Sequence, residues 1–518
     1  MAQRADAVTR RAGIIAAGLT VAVVLAACVG IATRAEPTAG LRAGDWSAIR
    51  FTVVQALLSA AFSVVLAVPL ARALARRRFF GRDLLVIFLG VPFILPVIVA
   101  VIGLLAVFGR NGWLNHVLGL LGLPELSVYG LHGVVLAHVF FNLPLATRLL
   151  LQAWQAIPAE RFRLVAQLGL SPRAVNRALE WPLLRQVLPG AFALIFVICL
   201  TSFAVALTLG GGPRSTTIEL AIYQTFRYDF DLSRAALLSV VQLALAGGAA
   251  LLALWIIPQI AVGGGLDRVA RRWDARGGMQ RIGDFGMILL GAGFLLMPLG
   301  AVVWRGLWGM GDLPASVWQA SANSLFVAGL SVLLLLALAL PMAGWIAMQK
   351  RGGIEAIGLL GLSASPLMIG TGWFILLNPV VDPVALALPV TALVNALMAL
   401  PFALRILVPR MRDTAQQFGR LNAALGVRGW PLWRWVLVPR AAAQIGFAAG
   451  LTGALSMGDL GVIALFADPE RATLPLEMYR LMGAYRMEAA AAAALLLLGL
   501  SLAIFWICDR GGRAYADV

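Results

Sequence analysis

The feature that most constrains this chain is the length and continuity of its apolar runs. A helix of about 20 predominantly apolar residues spans the roughly 30 Å hydrocarbon core of a bilayer. Such runs fall near residues 13–33, 50–71, 84–108, 131–152, 187–209 and 235–258. A second set follows near 283–305, 321–346, 354–377, 386–408, 441–466 and 488–508, with Pro379, Pro383 and Pro389 interrupting its middle. The runs are continuous rather than alternating, so they predict spanning helices and not barrel strands. Hydrophobic residues make up 61% of the chain and charged residues 13%. A soluble domain has about 45–50% and about 25%, so this chain cannot clothe a water-facing surface of its size. The expected fold is an all-α polytopic membrane protein with about twelve transmembrane helices in two tandem six-helix halves.

A formal net charge of +17 would point to nucleic acid in a soluble protein. Here the arginines sit in short loops between apolar runs, where they set topology and meet anionic headgroups. No basic face with interleaved aromatics lies outside those loops, which excludes a nucleic-acid partner and leaves membrane lipid. Arg72, Arg76, Arg77, Arg78 and Arg82 follow the second run, and Arg161, Arg163, Arg173, Arg177 and Arg185 follow the fourth. Arg268, Arg271, Arg272, Arg276 and Arg281 lie between the two sets, Lys350 and Arg351 follow the eighth run, and Arg405 to Arg440 lie at or beyond the end of the tenth. All fall on one side if both termini are cytoplasmic. The apolar run Ile14 to Ile31 is long enough to be a retained first helix. The opposite loops, 34–49, 109–130, 210–234, 306–320 and 467–487, are richer in Gly, Pro, Asp and Glu. Cys28, Cys199 and Cys508 have neither metal-site nor disulfide spacing and read as small apolar fillers. The polar stretch Leu266 to Asp284 divides the chain into a first half, 1–265, a cytoplasmic linker, 266–282, and a second half, 283–518. With six spans each, the halves repeat in parallel topology.

The repeat is visible in the residues. A constant offset carries Leu143, Pro144, Ala146, Arg148 and Leu150 onto Leu400, Pro401, Ala403, Arg405 and Leu407, and Leu168, Gly169 and Pro182 onto Leu425, Gly426 and Pro439. Each copy holds a basic segment longer than the 2–8 residues that usually join two helices. Each is expected to continue one span, break at Gly169-Leu-Ser171-Pro172 or Gly426-Val-Arg428-Gly429, and return through a short helix. Ser171 is placed to cap that helix with Pro172 at its first position. An amphipathic connector lying on the headgroups is one reading. Retention of the Gly-to-Pro spacing in both copies favours a docking element.

This segment resembles the cytoplasmic "EAA" loop of ABC-importer permeases, in which a Gly precedes a Pro by thirteen residues, here Gly169 with Pro182 and Gly426 with Pro439. The acidic start of that motif is absent, Arg163-Leu-Val165 and Arg420-Leu-Asn422 standing in its place. The stretches FGRNGWLNHVLGLLG, YGLHGVVLAHVFFNLPLATRLLLQA, TSFAVALTLGGGPRSTTIELAIYQ and LSMGDLGVIALF are similar to the thiamine ABC-importer permeases, which fuse both halves in one chain. The resemblance implies two copies of a cytoplasmic ABC ATPase that uses ATP and Mg, a periplasmic solute-binding protein, and a place in the bacterial inner membrane. It assigns ATPase coupling to Leu168, Gly169, Ser171, Pro172, Arg173, Arg177 and Pro182, and to Leu425, Gly426, Arg428, Trp433, Arg434 and Pro439. The fused ferric-iron permeases are related and remain an alternative.

No Gly-rich loop ends in Gly-Lys-Ser/Thr, and Lys350 is the only lysine. The chain lacks the usual phosphate cradle, so it is expected to be no enzyme and to bind no cofactor, hydrolysis belonging to a partner. Candidate path-lining residues are Ser202 and Asp459, at matching positions of the two halves, and His138, Asn142 and Asn395. A carboxylate at membrane depth marks a site unless it serves a structural contact. Asp459 is open to both readings, a cationic thiazolium-type solute or a polar neighbour. His138 has no partner at metal-ligand spacing, which argues against a metal site. Thr216, Thr217 and Glu219, with Thr473 and Glu477, are candidates for docking the binding protein. An ion-coupled secondary transporter is the different-class alternative, and the scarcity of carboxylates within the runs argues against it.

Overall fold

The computed structural model describes residues 7–35, 40–90, 92, 94–256, 277–349, 365–466 and 470–516. Among the described residues eleven helices are long and apolar enough to cross a membrane, and Pro366–Leu377 is a shorter apolar one. The protein is an all-α, multi-pass membrane protein. Arg268, Arg271, Arg272, Arg276, Lys350 and Arg351 lie outside the described residues, as do most of the linker 266–282 and the start of the expected span 354–377.

The first series of elements is α1 (Ala7–Arg34), α2 (Ala43–Arg76), α3 (Arg82–Phe88), α4 (Val97–Phe108), α5 (Trp113–Leu120), α6 (Leu131–Gln155), α7 (Ala159–Gln167) and α8 (Pro172–Val175). A π-helical turn, Asn176–Glu180, leads without interruption into α9 (Trp181–Leu200), followed by α10 (Ala204–Leu209), α11 (Ile218–Arg227) and α12 (Leu232–Ile256). The second series is α13 (Gly278–Trp308), α14 (Ala315–Ala347), α15 (Pro366–Leu377), α16 (Ala387–Ala424), α17 (Trp430–Leu432), a π-helical turn Trp433–Leu437, α18 (Val438–Met457), α19 (Gly461–Phe466), α20 (Leu474–Gly483) and α21 (Met487–Ala516). The two π turns occupy the same place in the sequence repeat.

Three expected spans prove to be interrupted. The run 84–108 stops after α3 and resumes at Val97, because Pro92 and Pro96 lack the N–H that would carry the helix through. The runs 187–209 and 441–466 break at Thr201–Phe203 and Gly458–Leu460, again at matching positions. Non-helical backbone at membrane depth survives only where it is buried in protein or lines a cavity. The breaks therefore predict where the interior opens.

The first helix of each series packs on the other series. Helix α1 lies against α14 and α15, and α13 lies against α2 and α4 as well as α21. Glycines permit this approach: a Cβ on Gly30 would meet the Gly372 carbonyl, and one on Gly372 would meet that of Ala27. On the other side a Cβ on Gly103 would meet the Pro298 carbonyl. Close backbone contact of this kind supplies packing where lipid offers no hydrophobic drive. The exchange ties the two series together without the linker.

Candidate functional site

The breaks face one cavity of about 430 Å3. His138, Asn142, Ser202, Asn395 and Asp459 all line it, so all five path candidates come together there. So does Glu219, which the sequence assigned to the outer surface. Helices α4, α6 and α9–α11 contribute from one series and α15, α16, α18 and α19 from the other. Phe141, Phe203 and Phe402 supply aromatic wall.

Each side of the cavity is held by a small polar network at equivalent positions. On one side the His138 ring joins Ser59 on α2 (Nδ1 to Oγ, 3.2 Å) to Ser202 after α9 (Nε2 to Oγ, 2.7 Å). Asn142 donates to the His138 carbonyl at 2.9 Å and to Cys199 Sγ at 3.3 Å. Gln55 donates to the Cys199 carbonyl at 2.8 Å, one of those freed where α9 ends. On the other side Asn395 donates to Ser456 Oγ at 3.0 Å, and Ser456 pairs with Ser331 on α14 at 2.8 Å. These bonds pin two helices of each series to the broken one.

The two carboxylates differ. Glu219 is buried and both its oxygens are engaged: Gln242 Nε2 donates to Oε1 at 2.8 Å, and Ser365 Oγ donates to Oε2 at 2.8 Å. Ser365 also caps α15, accepting from Met368 N at 3.2 Å. Glu219 thus clamps α11 and α12 of one series to α15 of the other. Asp459 accepts from Gly461 N through Oδ1 at 3.1 Å, the Asn395 amide lies beside its carboxylate, and among the described residues its Oδ2 makes no close hydrogen bond. Among the described residues no three His, Cys, Asp or Glu side chains gather as a metal site.

The outer candidates have inward-facing duties. Thr216, Thr217, Glu219, Thr473 and Glu477 are all buried. Thr216 Oγ1 donates to the Gly212 carbonyl at 3.4 Å. Thr217 caps α11, accepting from Leu220 N at 3.2 Å, and Thr473 stands at the start of α20. Glu477 accepts from Ser316 Oγ at 2.7 Å and lies 3.7 Å from Arg480. The first N–H of each of these short helices is taken by a spanning helix: Ile218 N by Thr52 on α2 (2.9 Å), Leu474 N by Ser324 on α14 (2.8 Å).

At the opposite end stand the repeated basic segments. Helices α7 and α16 both finish in the same left-handed glycine cap. Gly169 (φ +62°) donates to Ala166 and Leu170 to Val165, while Gly426 (φ +65°) donates to Ala423 and Val427 to Asn422. Pro158 starts α7 afresh after α6, whereas α16 runs unbroken through the equivalent region. Ser171 Oγ accepts from Ala174 N at 3.4 Å with Pro172 in the first turn, as its sequence predicts. The short returning helix is no separate rod, because α8 and α17 run through the π turns into α9 and α18. Leu164 and Leu168, with their equivalents Leu421 and Leu425, stay exposed, as do Arg173, Arg177, Pro182, Arg428 and Arg434. Trp433 differs: its Nε1 donates to Thr9 Oγ1 at 3.0 Å and its ring fills the space left by Gly344. Pro439 is half-buried.

Comparison with known proteins bears on this arrangement. No protein-family model matches the chain. The thiamine transport system permease protein ThiP of Escherichia coli (strain K12) is 40% identical over 516 residues, covering 96% of each chain. That of Salmonella typhimurium is 41% identical over 488 residues, 91% of this chain and 90% of its own. That of Brucella abortus (strain 2308) is 40% identical over 484 residues, 90% and 88%. The chain belongs to this permease family. Membership accounts for a multi-pass helical body of the ABC-importer kind, and the matched length takes in both series of helices. The sequence alone missed Gln55, Ser59, Gln242, Ser331, Ser365 and Ser456, although the stripe Thr52, Gln55, Ser59, Ser63 along α2 is a legible sign of a buried polar face.

Proposed function

We propose that this chain is the membrane subunit of an ATP-driven thiamine importer. The observation that carries the reading is the 40% identity with the Escherichia coli thiamine transport system permease protein over 96% of both chains. The halves 1–265 and 283–518, joined by a cytoplasmic linker at 266–282, form the two sides of the pathway, with both termini in the cytoplasm of a bacterial inner membrane. A binding protein delivers the solute on the outer face, to surface around the buried α11 and α20 residues. Two copies of a separate ATPase dock on the basic segments around Leu168–Arg177 and Leu425–Arg434, and hydrolyse ATP with Mg, so the permease itself is no enzyme. Closure of the ATPase dimer draws the segments together, and the bundle shifts between two arrangements that both partners bias. The matching glycine caps and the exposed leucine pairs support docking there, because an exposed apolar knob beside arginines suits a protein cleft.

The test is uptake of labelled thiamine into proteoliposomes holding this chain, its co-purifying ATPase and the neighbouring binding protein. Uptake that requires all three and ATP is the expected result. Uptake without ATP, or transport of ferric iron in place of thiamine, overturns the reading.

A further inference from the structure

We infer that the cavity between the two broken helices is a binding site in its own right for a flat organic monocation, with Asp459 as the residue that reads its charge. This deepens the importer reading and rests on it: the permease selects its solute and is no neutral conduit behind a selective binding protein.

The argument starts from what each polar atom in the cavity already does. His138, Ser202, Asn142, Asn395 and Ser456 bond to one another or to neighbouring helices. Glu219 spends both oxygens on Gln242 and Ser365. Asp459 spends Oδ1 on Gly461, with Val462 N and the Asn395 amide also beside its carboxylate, and Oδ2 makes no close hydrogen bond. A carboxylate oxygen withdrawn from water without a partner is costly, and such an atom at a cavity wall calls for a donor or a positive charge.

Among the described residues no Lys or Arg lines the cavity. The N-termini of α4 and α15, both twelve residues long, do reach it. Each brings about half a positive charge. The α15 end is answered by Ser365, which Glu219 holds. The α4 end and the N–H groups of Gly461 and Val462 share the Asp459 charge, and no formal cation among the lining residues meets it. Phe141, Phe203 and Phe402 are among the lining residues, and an aromatic face attracts a cation. A volume of about 430 Å3 lies within the roughly 300–1,000 Å3 of small-molecule sites.

The equivalent residue in the other series is Ser202, already held by His138. A carboxylate therefore stands at this position in one series only, and the cavity's other carboxylate, Glu219, is set apart on α11, an asymmetry that orients an asymmetric ligand.

The test uses the intact permease–ATPase complex in nanodiscs without binding protein. It compares equilibrium binding of thiamine with that of its neutral isostere, in which a thiophene replaces the thiazolium ring. Asp459→Asn keeps the Oδ1 acceptor for Gly461 and removes only the charge. The expected result is that wild type prefers the cation by about tenfold or more and Asp459→Asn loses that preference, as for a charged contact removed in a partly dry site. Asp83→Asn, at an exposed carboxylate away from the cavity, should keep it. Equal preference in wild type and Asp459→Asn, or no binding of either ligand by the wild-type complex, overturns the inference. Uptake by the full system is measured separately. If the wild type imports thiamine while the binding preference ignores Asp459, the importer reading stands and the charge-reading site falls.

Discussion

The joint between the first basic segment and the membrane body turns on one carboxylate. Glu180, fully buried in the first π turn, lies 2.7 Å from Arg72 Nη2 and 3.5 Å from Arg76 Nη2. At the equivalent position of the second π turn stands Leu437, also buried. Replacing Glu180 with Leu copies the second joint into the first but removes the carboxylate that two guanidinium groups face. Breaking a buried pair typically costs about 3–5 kcal/mol. Arg76 is nearly dry, with 5% of its side chain exposed, while Arg72 keeps 30% and can rehydrate. That discounts the cost to about 2–4 kcal/mol. If the loss falls on local opening of the segment, amide exchange across 172–180 should quicken roughly 30- to 700-fold. Exchange across 429–437 should not change. Hydrogen exchange by mass spectrometry on the permease in nanodiscs reads both windows at once. Adding Arg72→Met and Arg76→Met should restore most of the protection, since an apolar replacement of a buried ion cluster is often neutral. An increase below about threefold in 172–180, or no recovery in the triple variant, would refute the claim that this cluster holds the joint.

Further outcomes follow from the same geometry. Leu168 and Leu425 are 64% and 67% exposed. Replacing both with Asp should weaken ATPase association in pull-down titration by at least about tenfold, each single change giving a smaller loss. Gly426→Val meets no neighbour within 4 Å yet must hold φ near +65°. It should destabilise the cap by about 1–2 kcal/mol, read as faster exchange at Val427, with Gly426→Asn milder. Gly372→Val would drive a side chain into the Ala27 carbonyl. It should lift α1 from α15 and expose α1 to added protease, whereas Gly18→Ala, with open space around it, should not.

What the sequence could disclose depended on which physical signal each feature leaves. Spanning helices leave a long composition signal, so α2, α6, α12, α13, α14 and α21 lie where apolar runs predict them. A helix break leaves almost none: Thr201–Phe203 and Gly458–Leu460 carry residues that many intact membrane helices also hold, and only their equivalence in the repeat hints at them. The glycine caps were legible, because Gly169 and Gly426 share one offset with conserved spacing to a proline within the chain. Glu219 lies buried at the cavity, whereas its sequence context suggests an outer surface. Its position in a polar outer stretch says nothing of the fold that turns α11 inward until Gln242 and Ser365 reach both oxygens. The shift of Trp433 from exposed segment to anchor needed Gly344, about ninety residues earlier in sequence, where no local pattern marks a notch.

The two series share their backbone far more closely than their chemistry, and the difference has a direction. Breaks, π turns and glycine caps fall at equivalent positions, so the bundle has the matched hinges a nearly symmetric opening needs. The side chains at those positions diverge: His138 against Asn395, Ser202 against Asp459, Glu180 against Leu437. Where an ion cluster grips the first joint, the second is gripped by the Trp433 ring in the Gly344 notch and its bond to Thr9. Symmetric substitutions should therefore have asymmetric effects. Raising ionic strength weakens a contact made by a partly exposed guanidinium and leaves a half-buried ring almost untouched. Exchange in 172–180 should respond to salt through the partly exposed Arg72, while exchange in 429–437 should stay flat. Equal salt sensitivity of the two windows would show that the joints are held by something common to both, and the divergence of their side chains would lose its mechanical meaning.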